Sequence, residues 1–398
     1  MEALILDAAS KTAKIEIISL PFPSPNEIVV RVGAIALNPV DALYVFNPLG
    51  RTGRVIGSDF AGTVESFGAD LPSLNPHIRV GQRVAGFLQG ASSVNDRPGA
   101  FSQYLSVPHD LVWHVQDNMS LEKAATVSLC ALTAAQCLYY RLGLPAPFSY
   151  EGSHSSNASS QRLLTVFIYS ASTSVGLYAA QLIQLSSKSS GTPIRLLGAA
   201  SPSHHSILTR RPYEFAALVS YRDSDWPSQV RSLANGQGAD FALDCISEGS
   251  SVAQVASVLA PCGKMAVVRS REGQAWKTEG TLPSEPLYGA VWEGLGDETE
   301  YQNMILPASP RARQFAVSFY RYLSSSEIPI QPNRVRLMPG GLNRIVPDGF
   351  TLMGPGTMNQ RGNDRAEEWM KPVSGEKLVY SLSAVGECDS RTEIRDIQ

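Results

Sequence analysis

Residues 163–200 read LLTVFIYSASTSVGLYAAQLIQLSSKSSGTPIRLLGAA. Residues 163–169 are a short apolar run of β-formers, and residues 170–174 (SASTS) are a turn of small residues. Residues 175–185 (VGLYAAQLIQL) have the length and apolar content of a buried helix, and residues 194–200 read as a second strand. This order of strand, tight turn, helix and strand is that of a dinucleotide-binding unit. The glycine fingerprint of such a unit is reduced here to Gly176, which would allow close helix–strand packing. The earlier positions are Ser and Ala, small enough for backbone amides to approach a pyrophosphate at the helix N-terminus. An ordinary βα turn without a ligand would read the same way.

The end of the second strand carries the cofactor choice. An Asp or Glu there would bond the ribose 2′-hydroxyl of NAD. The chain instead continues Ser201-Pro202-Ser203-His204-His205, and no carboxylate lies between Glu151 and Glu214. Hydroxyls and imidazoles can donate to a 2′-phosphate, which a carboxylate would repel. If the unit binds a dinucleotide, it is expected to be NADPH.

At 398 residues the chain is long enough for two domains, with 43% hydrophobic and 17% charged residues as in an ordinary globular protein. The net charge of −3 gives no footprint for nucleic acid or an anionic membrane. No apolar run approaches the roughly 20 residues that span a bilayer. The opening MEALILDAASK lacks the basic and apolar regions of an export signal. Cysteines Cys130, Cys137, Cys245, Cys262 and Cys388 are few, odd in number and scattered, as in a reduced compartment. A cytoplasmic protein is expected.

The first 125 residues look β-rich with frequent turns, with strand candidates near 28–32, 57–67, 80–84 and 101–107. Residues 121–140 change to helix, with Ser120 as N-cap. Residues 144–161 read as an exposed loop. Strands at 217–220, 241–246 and 264–268 and a helix at 250–259 continue a β-α alternation, which implies an α/β doubly wound parallel sheet. A helix is expected over 311–323 and a closing strand over 378–382. Residues 338–372 are rich in Pro, Gly and Met, without clear periodicity.

These segments resemble the medium-chain dehydrogenase/reductase family over nearly the whole chain. The marks are Asn38-Pro39-Val40-Asp41, Gly57-Ser58-Asp59-Phe60-Ala61-Gly62-Thr63-Val64, Val80-Gly81-Gln82-Arg83-Val84-Ala85-Gly86, Ala131-Leu132-Thr133-Ala134-Ala135, Val175-Gly176 with Ala180-Gln181-Leu182, and Ser374-Gly375-Glu376-Lys377-Leu378-Val379. Within the family, Gly99-Ala100-Phe101-Ser102-Gln103-Tyr104, Leu243-Asp244-Cys245-Ile246, the turn Ser172-Thr173 and Val373-Ser374-Gly375-Glu376-Lys377 look like the fungal trans-acting enoyl reductases. The resemblance implies a GroES-like β-rich domain (1–125), a Rossmann NADPH-binding domain (126–305) with the cofactor in the cleft between them, and a C-terminal segment (306–398) returning to the first. It also implies reduction of α,β-unsaturated thioesters on the acyl carrier protein of a highly reducing polyketide synthase or a synthase–peptide synthetase hybrid, and a monomer. The stretch 355–368 resembles an insertion of unknown role.

By the same resemblance Val40, Asp41, Ala42 and Leu43 border the nicotinamide, and Ser172, Thr173, Ser174 and Val175 cradle the pyrophosphate. Ser201, Pro202, Ser203 and His204 meet the 2′-phosphate, and Tyr221 packs at the adenine; a plain strand-end aromatic is the competing reading of Tyr221. Leu259 and Ala260 lie at the sheet edge facing the nicotinamide, and Val373 and Ser374 close over the cofactor. Thr126, Val127, Ser128, Leu129, Cys130, Ala131, Leu132 and Thr133, with Tyr288, Gly289, Ala290, Val291 and Trp292, resemble acyl-pocket walls; interdomain core is the competing reading. Gly57-Ser58-Asp59 replaces the His-Glu pair of the zinc branch, and no four-cysteine cluster exists, so no metal is expected. Relatives can carry Lys at the position of Leu43 as proton donor. Here Asp41, more simply a residue holding its loop, and Tyr44 are the candidate catalytic side chains, with water as the alternative donor. Arg210, Arg211, Arg334 and Arg336 could meet an acidic carrier protein or be solvated charges. Two other readings compete: a free-standing quinone or enone reductase, and a catalytically silent scaffold for the synthase.

Overall fold

A computed structural model describes residues 1–152, 162–278, 280–301, 304–325 and 330–382. A parallel sheet of six strands runs in the order Ala217–Ser220, Ile194–Ala200, Leu164–Tyr169, Ala239–Asp244, Leu259–Val267 and Leu287–Tyr288. Its strands alternate between two buried faces. Val166 and Ile168 join one core with Leu196, Leu243 and helix Ser174–Ser190, while Phe167 joins another with Leu197, Ala242 and residues of helices Trp226–Leu233 and Ser251–Ser257. A strand buried on both sides has no polar face to show, which is why residues 163–169 read as one apolar run. The connections leave Leu164–Tyr169 in opposite directions, so a crevice opens at its C-terminal end beside Ala239–Asp244.

A second sheet has the order Val335–Leu337, Lys377–Ser381, Glu27–Ala36, Asp59–Phe67, Arg83–Phe87 and Val112–His114, with Tyr104–Pro108 also paired to Glu27–Ala36. The strand Lys377–Ser381 runs antiparallel to Glu27–Ala36, so the end of the described chain is woven into its beginning. Strands Glu2–Asp7 and Thr12–Ile17, unforeseen in the sequence, form a separate hairpin.

The expected helix over 121–140 is three consecutive pieces, Leu121–Ala125, Ser128–Ala135 and a π-helical turn Gln136–Arg141. Ser120 caps the first, its hydroxyl accepting from the Lys123 N–H at 3.3 Å. Residues 40–43 are not a loop: they lie in helix Pro39–Phe46, started by Asn38 and by Pro39 at its first turn. Residues 201–205, read as a strand end, open a second short helix, Pro202–Leu208. Of the loop expected over 144–161, residues 153–161 lie outside the described residues.

Candidate active site

The helix Pro39–Phe46 begins on a buried polar cluster. Asp41 reaches back to accept from the Asn38 backbone N–H at 2.7 Å and also accepts from the Ser58 hydroxyl at 2.7 Å. The Asn38 amide donates to Ser58 Oγ at 3.0 Å and Asp59 Oδ2 at 2.9 Å. Asp59 further accepts from the Leu129 N–H at 2.9 Å and is ion-paired to Lys377 of the closing strand. Burial works against the Lys377 charge, but Asp59, with Cys130 and Tyr178, more than offsets it and holds the ammonium above its ordinary range. Burial pushes Asp41 up to about 7, with Ser58 and Asn38 acting against that rise. Asp59 thus has a cation already against it, Lys377. Among the described residues, no group of three or more His, Cys, Asp or Glu converges as a metal site.

At the βα turn, the Thr173 hydroxyl donates to Ser170 O at 2.8 Å and accepts from the Gly176 N–H at 3.2 Å, capping helix Ser174–Ser190. Ser170 stands at φ 60°, in the left-handed region that costs a non-glycine residue about 1–2 kcal/mol. A Cβ on Gly176 would sit 2.8 Å from the carbonyl oxygens of both Ser170 and Ala171, so glycine is required for the helix to meet the strand this closely. Beyond the next strand, Ser201 Oγ and Tyr221 OH are 3.0 Å apart, and His204 Nε2 lies 2.8 Å from Ser374 Oγ. Four of the expected cofactor residues, from three separate segments, are therefore paired at this corner. Burial, then His205 and Arg334, lowers the His204 pKa. Val373, beside Ser374, is half-buried against the core.

A cleft of about 170 Å³ opens where the crevice faces helices Pro39–Phe46 and Ser128–Ala135. Val40, Leu43 and Val175 line it, as do Leu129, Cys130 and Thr133, one face of a helix, and Tyr288, Gly289, Val291 and Trp292. The remaining expected wall residues turn away. Thr126 meets Tyr178 OH at 3.2 Å, Ser128 accepts from Trp113 Nε1 at 3.0 Å, and Ala290 O accepts from Gln136 Nε2 at 3.0 Å. Val127, Ala131 and Leu132 are buried in the core.

Three expectations need correction. Leu259 and Ala260 begin their strand, with Leu259 paired to Ala239, the first residue of its neighbour, so they sit at the sheet edge opposite the crevice. A strand that starts five residues earlier than its apolar run suggests inverts the ends; Val268 and Arg269 occupy the crevice edge instead. Asp41 and Tyr44 do not line the cleft. Tyr44 is 4% exposed, its hydroxyl accepts from Gln89 Nε2 at 3.1 Å, and its ring packs on Trp292 and Tyr301. Arg336 is no surface charge: it pairs with Glu376 and donates to Trp369 O and Pro372 O.

The cleft also holds Glu248, Arg269, Tyr301, Met358 and Arg361, none of them foreseen. Arg269 Nη1 pairs with Glu248 Oε1 at 2.5 Å, and the Met358 N–H donates to Glu248 Oε2 at 2.8 Å. Their partners lie far apart in the chain and share no motif, so only the fold unites them.

A GroES-like domain beside a parallel dinucleotide-type sheet, with a cleft between, is the architecture of medium-chain dehydrogenase/reductase oxidoreductases. The family model for the alcohol dehydrogenase GroES-like domain matches residues 24–117. The trans-enoyl reductase caaB of Aspergillus niger is 28% identical over 389 residues, 96% of each chain. The trans-enoyl reductase resD of Aspergillus sclerotiorum is 30% identical over 256 residues, 63% of this chain and 68% of that one. The crystal structure of CurK enoyl reductase superposes with a TM-score of 0.66 at 17% identity, covering 96% of this chain and 98% of that chain. The chain belongs to the trans-enoyl reductases, oxidoreductases of the medium-chain dehydrogenase/reductase fold.

Proposed function

We propose that the protein is a trans-acting enoyl reductase that uses NADPH to reduce α,β-unsaturated acyl thioesters. The acyl chain would be presented by the carrier protein of a partner polyketide synthase or synthase–peptide synthetase hybrid. The observation that carries this reading is the cleft at the crevice edge of the parallel sheet, whose largely apolar lining includes Leu129, Cys130, Thr133, Tyr288, Gly289, Val291 and Trp292.

The residues present suit a nicotinamide dinucleotide phosphate. Gly176 lets the helix N-terminus approach the turn, and Ser172, Thr173 and Ser174 offer small side chains there. Ser201, His204, Tyr221 and Ser374 supply donors without a carboxylate, which favours a 2′-phosphate over a free hydroxyl. When bound, the cofactor supplies the hydride for the β-carbon. The cleft walls hold the acyl chain and keep water from it. Asp41 and Tyr44 act by positioning, Asp41 by fixing the start of helix Pro39–Phe46 and Tyr44 by packing behind Trp292. With Leu43 in place of a lysine, water is the proton source for the α-carbon.

We further propose the division 1–125, 126–305 and 306–398, supported by the pairing of Lys377–Ser381 with Glu27–Ala36. A zinc-independent, monomeric, cytoplasmic enzyme fits the Lys377–Asp59 pair and the free cysteines Cys130, Cys137, Cys245 and Cys262. Among the described residues, no helix is long and apolar enough to cross a membrane. The test is intact-mass spectrometry of a carrier protein bearing a 2-enoyl chain, incubated with the protein and NADPH. A gain of two hydrogens is expected. No gain, with quinones reduced instead, would favour the free-standing quinone reductase.

A further inference from the structure

Arg361 lines the cleft, yet its guanidinium makes no side-chain hydrogen bond and no ion pair among the described residues. Its Nε is buried without a partner, and so is the Nε of Arg269 beside it. Glu248 makes no ion pair with Arg361: Oε1 is engaged by Arg269 and Oε2 by the Met358 N–H. One positive charge is left over in a half-buried place. Burial lowers the Arg361 pKa, opposed by Glu248.

The placement is built. The Asn47 amide donates to Pro355 O at 3.2 Å, the Thr357 N–H donates to Gln360 Oε1 at 2.8 Å, and Gly354 turns the chain at φ 70°. The stretch 355–368, which has no periodicity of its own, thus carries a cation into the cleft. Around it the walls are apolar: Leu43, Val268, Val291, Trp292 and Met358. A half-buried guanidinium whose Nε has no partner is favoured by a ligand that supplies acceptors, and its planar fork matches a carboxylate.

We propose that Arg361, backed by Arg269, forms a subsite for the carboxylate of a ligand whose remainder is an apolar chain. The ligand is a free fatty-acid-like carboxylate or a carboxylate at the far end of a tethered acyl chain. The second form rests on the enoyl reductase reading; the first does not.

The full-length protein is titrated with decanoate and decanol by calorimetry, with Arg361→Leu and Arg361→Lys variants alongside. Decanoate is expected to bind more tightly than decanol. Arg361→Leu should cut that preference roughly tenfold to hundredfold, the range for a charge-assisted hydrogen bond, and Arg361→Lys should retain part of it. Equal binding of the two, binding of neither, or a preference that survives Arg361→Leu would overturn the subsite. In a second arm, NADPH-dependent reduction is compared for enoyl pantetheine thioesters ending in carboxylate or methyl. A carboxylate preference in kcat/KM that Arg361→Leu reduces assigns the subsite to the tethered chain. A preference confined to the titration assigns it to the free acid. Reduction of neither thioester would sink the enoyl reductase reading while the titration still decides the subsite.

Discussion

Lys377 and Asp59 are 318 residues apart in the chain, and their side chains are 3% and 0% exposed. Removing one partner leaves the other charge buried and uncompensated, which typically costs about 3–5 kcal/mol. Lys377→Met should therefore lower the melting temperature sharply in calorimetry, and adding Asp59→Leu should recover much of the loss. A single variant as stable as the parent would mean that the pair does not tie the closing strand. Asp41 gives a pH signature. Its folded pKa is raised, to about 7, above an unfolded value near 3.8. Its stabilisation is thus full below about pH 4 and is lost as pH rises through about 7. Melting temperatures measured from pH 5 to pH 8 should fall more in the parent than in Asp41→Asn. Gly176→Ala would drive a methyl against two backbone oxygens that cannot move aside, and a destabilisation of roughly 1–3 kcal/mol is expected in denaturant titration.

The βα units were the most legible elements, because strands buried on both faces are mostly apolar along their length. Strand Ile194–Ala200 and strand Ala217–Ser220 fall where the pattern placed them. Boundaries were harder where chemistry and not hydrophobicity decides them. Pro202 suits a helix first turn as well as it ends a strand, and Leu259 begins its strand behind an irregular register, well before the apolar run starts. The corner built from Ser201, His204, Tyr221 and Ser374 carries an element-level prediction. Ser201→Asp should weaken NADPH binding at least tenfold in fluorescence titration, by placing a charge against the 2′-phosphate, while NADH binding holds or improves. Equal loss of both cofactors would place the 2′-phosphate elsewhere.

At the scale of the whole molecule, function depends on two sheets meeting across one cleft. The sequence marks for each sheet were local and could be read in order. The return of Lys377–Ser381 to Glu27–Ala36 was legible through the motif around Lys377, since its periodicity alone describes any short strand. The charged part of the cleft lining was not legible. Glu248, Arg269 and Arg361 come from three loops without a shared spacing, and charged residues in loops ordinarily signal only solvent exposure. The most direct measurement of the central claim is stopped-flow loss of NADPH absorbance with an α,β-unsaturated pantetheine thioester, run beside NADH and beside a simple quinone. Oxidation of NADPH by the thioester, with NADH and the quinone much slower, is the predicted result. Turnover with the quinone alone, or no NADPH oxidation by any acceptor, would contradict it.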